Sequence, residues 1–73
     1  MKINKSYYID AIKERIDEEF GDTGMNDERA VELIRQSIDE TIAFYEDTFG
    51  EVEDWDVFED DLYSDAKRKL GLS

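Results

Sequence analysis

The sequence predicts an all-α fold, a small three-helix bundle with helices over about residues 6–20, 27–49 and 55–70. Three observations lead there. Apolar residues recur every three or four positions in three separate runs. There is no proline, and the four glycines fall between or after those runs: Gly21 and Gly24, then Gly50, then Gly71. No run sustains an alternation of period two, which leaves Ile3–Tyr8 and Glu51–Trp55 as the candidate short extended pieces.

The first helix carries Ile9, Ile12, Ile16 and Phe20 on one face. Ser6 is its candidate N-cap and Gly21 its stop. The second carries Val31, Ile34, Ile38, Ile42, Tyr45 and Phe49. Asn26 can cap it, and Asp27 and Glu28 suit the positive end of its dipole. At ~1.5 Å per residue it is the long helix, near ~34 Å. The third carries Trp55, Phe58, Leu62, Ala66 and Leu70. Asp54 is its N-cap, with a capping box of Asp56 and Glu59 as the alternative. Lys67, Arg68 and Lys69 occupy its last turn, where cations suit the dipole, and Gly71 ends it.

Seventy-three residues make one domain, 1–73, with a small core. High net charge with low hydropathy is also the signature of disorder, but 12% aromatic residues and the helical period oppose that reading. The chain has no Cys and no His, which excludes disulfides and disfavours a zinc site. No apolar run approaches a membrane span, and Met1–Lys5 is followed by no apolar stretch of the kind a secretory signal needs. The expectation is a soluble cytoplasmic protein, in the host cytoplasm if phage-encoded. A pI near 4.1 disfavours direct binding to nucleic acid or anionic membrane.

The charge is distributed unevenly. From Gln36 to Ala66 the chain carries twelve Asp and Glu and no Lys or Arg; the other 42 residues hold nine acids and nine bases. The net charge of −12 is therefore a local feature. Such a segment repels itself, and a basic partner is the simplest compensation.

Helical spacing places Glu28, Glu32, Asp39 and Glu46 on one side of the second helix, with Glu40 and Asp47 next round the cylinder. Glu32, Asp39 and Glu46 recur about every 10.5 Å. Asp10, Glu14 and Asp17 form a similar row on the first helix. Carboxylates at fixed spacing on a rigid bundle can imitate the phosphates of a nucleic acid to a protein that binds them through Lys and Arg. The bland alternative is a solvated face that does nothing. The candidate partner-binding acids are Asp39, Glu40, Glu46 and Asp47 on the second helix. Glu51, Glu53 and Asp54 follow in the connection, and Asp56, Glu59, Asp60 and Asp61 on the third helix. Tyr63 is a possible anchor, and Tyr7, Tyr8, Leu33, Phe44, Trp55 and Val57 are the other large residues that either widen the core or act as anchors.

Glu51, Glu53, Asp54 and Asp56 crowd one loop, but the EF-hand pattern fails there, with Phe58, Glu59 and Asp65 at positions five, six and twelve. It fails from Asp22 as well. Without Cys, His or a Gly-rich phosphate loop, and with little material for a cleft, no enzyme, metal or cofactor is expected. The leading expectation is an acidic, nucleic-acid-mimicking inhibitor that occupies the basic groove of a nuclease or other nucleic-acid-binding protein. In size and charge the chain is similar to phage-encoded anti-CRISPR and anti-restriction proteins, a comparison of composition only. The alternative is a protein-interaction module, such as an immunity protein, an antitoxin or a small regulatory subunit, that mimics nothing. Either would be a monomer or a weak homodimer.

Overall fold

The computed structural model describes residues 4–21 and 27–72. Three helices follow one another, α1 (Lys5–Phe20), α2 (Asp27–Phe49) and α3 (Trp55–Leu70), and there is no strand among the described residues. They pack on one core as an all-α three-helix bundle, with α2 most extensively against α3.

The helix starts show why these segments form. Asn4, not Ser6, caps α1: its Oδ1 accepts the Tyr7 N–H at 3.1 Å, and Ser6 lies inside the first turn. An Asn cap is at least as good as a Ser cap, and Tyr8 packs against the core from the first turns of the helix. Residues 5–8 are accordingly helical, not extended; Ile3, Gly24 and Asn26 lie outside the described residues. Asp54 caps α3, its Oδ1 accepting the N–H groups of Asp56 at 3.1 Å and Val57 at 3.3 Å. Glu51–Asp54 is an irregular connection, since the cap fixes the chain's turn into α3. At its other end α3 closes in a Schellman arrangement around Gly71 (φ 77°): Leu72 N–H reaches the Lys67 carbonyl at 2.9 Å and Gly71 N–H the Arg68 carbonyl at 3.2 Å. Asp54→Ala is expected to lower stability by about 1 kcal/mol in urea unfolding, through the loss of two cap bonds.

Ile12, Ile34, Ile38, Phe58, Leu62 and Ala66 are fully enclosed at the centre. Val52, in the α2–α3 connection, is buried too and plugs one end of the core. The stripes thin at their ends: Phe20 and Phe49, both expected inside, are exposed. For Phe49 the cause is length. At 23 residues α2 is seven longer than α1 or α3, an excess of about 10 Å. Its N-terminal part is matched by Ile16, Leu70 and Leu72 around Ala30 and Ile34, so the excess emerges at its C-terminal end.

Candidate protein-binding surface

Aromatic residues close the end where α2 outruns α1. Phe58 is the hub, with Tyr8, Tyr45 and Trp55 edge-on to it at centroid distances of 5.4, 5.6 and 5.2 Å. Tyr8 also stacks on Trp55, and Phe44 and Phe49 both pack against Tyr45 from outside. Trp55 is thus a half-buried structural residue, whereas Phe44 and Phe49 remain 57% and 64% exposed.

The twelve carboxylates of residues 36–66 do not share one ridge. Asp39 turns to α1 and pairs with Lys5 at 2.7 Å. Glu59 and Asp60 lie on the α1 side of α3 and share Arg15 at 3.7 and 3.2 Å. Glu40 binds Lys69 at 2.9 Å, and Asp65 pairs with Arg68 and Lys69. The row Glu28, Glu32, Asp39 does line one shallow groove, but Arg35 stands within it. Glu46, Asp47, Glu51, Glu53, Asp54, Asp56 and Asp61 make no ion pair among the described residues. All seven belong to the end where α2 stops and α3 begins. The basic last turn of α3 lies at the opposite end of a molecule 37 × 19 × 19 Å in extent. Charge is therefore polarised along the long axis.

Helix dipoles sharpen this polarity. Glu46 and Asp47 sit in the last turn of α2, which has no base, where negative charge is unfavourable. Among the described residues no ion pair offsets that placement. Asp54 and Asp56, by contrast, suit the start of α3.

Between the two helices at this end lies an open groove of about 430 Å³. Phe44, Phe49 and Val57 give it an apolar floor, and Glu51, Glu53, Asp54 and Asp61 form its rim. Three of the five exposed large apolar residues among those described thus face one depression. The site is an apolar patch inside an acidic margin, the composition that lets charge set encounter rate and apolar contact set lifetime.

Tyr63 is not part of it. Its ring is buried against α1, sandwiched by Arg15 at 4.1 Å and Lys67 at 4.5 Å, and its hydroxyl donates to Glu19. One position after Leu62, it turns toward α1 and widens the core instead of serving as an outer anchor. Phe49 was hidden from sequence reasoning by its place on the apolar stripe; the unequal helix lengths were the available signal. Val52 had no periodic signal at all.

Two phenols bind carboxylates. Tyr45 donates to Asp61, and that bond together with burial pushes its pKa up to about 12. Burial and the bond to Glu19 push Tyr63 up to about 12 as well. The same bond holds the Glu19 carboxyl below the usual range. At Asp65, burial alone would raise the carboxyl, but Arg68, the Ser37 hydroxyl and Lys69 together more than reverse it. A raised phenol pKa stabilises the fold fully below the ordinary value of 10.0 and progressively less as pH climbs to about 12. Stability is thus expected to fall across that window, and Tyr45→Phe/Tyr63→Phe to lose less of it in denaturant titrations at stepped pH.

Among the described residues no group of three or more acids is arranged to hold a metal ion, and no helix is long and apolar enough to cross a membrane. Together the fold and this surface define a small acidic helical bundle with a polarised, partly apolar face. Comparison with protein-family models, with curated proteins and with solved structures finds no match for this chain.

Proposed function

We propose that this protein is an acidic inhibitor that docks on the basic nucleic-acid-binding surface of a partner protein and blocks it by competition. The observation that carries the reading is the set of seven carboxylates, gathered at one end, that make no ion pair among the described residues, two of them set against a helix dipole. A field of that sign steers a cationic protein toward this end and orients it on approach. Nucleases of restriction and CRISPR systems are the partner class that phage-encoded antagonists of this size would meet. The test is capture from a bacterial lysate on the immobilised protein at low salt, salt-gradient elution, and then competition with duplex DNA or RNA for the eluted protein. A partner displaced by nucleic acid, and released by about 0.5 M salt, supports the reading. Binding indifferent to both contradicts it.

The exposed apolar floor favours a second reading, an interaction module of the immunity-protein or antitoxin kind. It differs in one outcome: its partner stays bound when nucleic acid is added.

A further inference from the structure

The apolar groove has a feature that phosphate imitation does not require. It continues along the α2–α3 seam into a second depression of about 480 Å³, the two sharing Phe44, Tyr45 and Asp61. From Glu40 to Phe49 the seam follows ten residues of α2, about 15 Å. We propose that this trough seats a cationic amphipathic helix of about three turns, presented by the partner protein. The inference rests on the reading that the partner is a basic protein.

Three considerations select that occupant. The floor of Phe44, Phe49 and Val57 matches apolar side chains spaced three and four apart, while the rim of Glu51, Glu53 and Asp61 matches flanking Lys and Arg. An extended segment would lay unpaired backbone N–H and C=O groups over an apolar floor with no strand edge beside it, whereas a helix satisfies its own. A second copy of this chain carries the same net charge of −12, which opposes its approach to this acidic rim. The exposed rings of Phe44 and Phe49 add faces for cation–π contact with the incoming bases.

The probe is a labelled peptide of about 18 residues made of Leu and Lys, with Leu at helical spacing, against an isomer of the same composition with Leu in alternation. Fluorescence anisotropy at about 0.1 M salt reads both affinities. The helically phased peptide is expected to bind at least about tenfold tighter than its isomer, and Phe44→Ala/Phe49→Ala to remove that advantage while leaving the isomer within about twofold. Val57→Ser provides a second, single-site variant with the same expected direction, and circular dichroism confirms that each variant is folded. Equal binding of the two peptides, or a folded double variant that keeps the preference, overturns the proposal. The two readings fail separately. A phased preference without nucleic-acid competition leaves the trough and removes mimicry; competition without a phased preference removes the trough alone.

Discussion

Phe58→Ala is expected to destabilise the protein by about 3–5 kcal/mol, enough to unfold most of it at room temperature. Phe58 is fully buried and is the one ring that touches α1 through Tyr8, α2 through Tyr45 and its own helix through Trp55. Truncation removes three edge-on aromatic contacts at once and leaves a cavity where the shorter α1 cannot close in. A chain of 73 residues has little stability in reserve. Phe58→Leu, which keeps most of the volume, is expected to cost only about 1–2 kcal/mol. Urea unfolding followed by circular dichroism checks both. Similar, small losses in the two variants would mean that this end of the core is loosely packed.

The largest functional effect is expected from removing charge without changing shape. Glu46→Gln, Asp47→Asn, Glu51→Gln and Glu53→Gln together should weaken binding of the recovered partner by about a hundredfold or more, through both slower association and faster release. None of the four makes an ion pair among the described residues, so the fold loses no internal partner. The same four substitutions in the paired set, Asp39, Glu40, Glu59 and Asp60, should cost stability instead, since each removes a partner of Lys5, Lys69 or Arg15. Competition binding at several salt concentrations separates the sets. Equal losses from both would mean that charge acts in bulk and that its position is immaterial.

Much of the bundle is legible in the sequence because its signals are local. Spacing of Ile9, Ile12 and Ile16, or of Phe58, Leu62 and Ala66, follows from the helical period, and Asp54 and Gly71 mark ends by conformations that their neighbours dictate. What escaped was set by partners distant in the chain. Tyr63 meets Glu19 across 44 residues, which no periodicity encodes. The division of the acids is of the same kind: Asp60 and Asp61 are neighbours, yet one meets Arg15 and the other Tyr45, because they lie about 100° apart on α3. Position on the cylinder was readable; the identity of the facing helix was not. The groove escaped for a third reason, since it arises where α2 outlasts α1 and the stripe carrying Phe49 is left exposed beside the start of α3.

If Glu46, Asp47, Glu51 and Glu53 serve a partner, as proposed, and not the fold, they oppose folding, in contrast to Asp54, Asp56 and Asp61 at the same end. Urea unfolding of the parent and of the variant neutralised at residues 46, 47, 51 and 53, at about 0.01 M and 0.5 M salt, tests it most directly. The variant is expected to be more stable by about 1 kcal/mol at low salt, with the difference vanishing as screening removes both self-repulsion and the dipole penalty. A parent as stable as the variant, or more so, at low salt would contradict it and assign these acids to the fold.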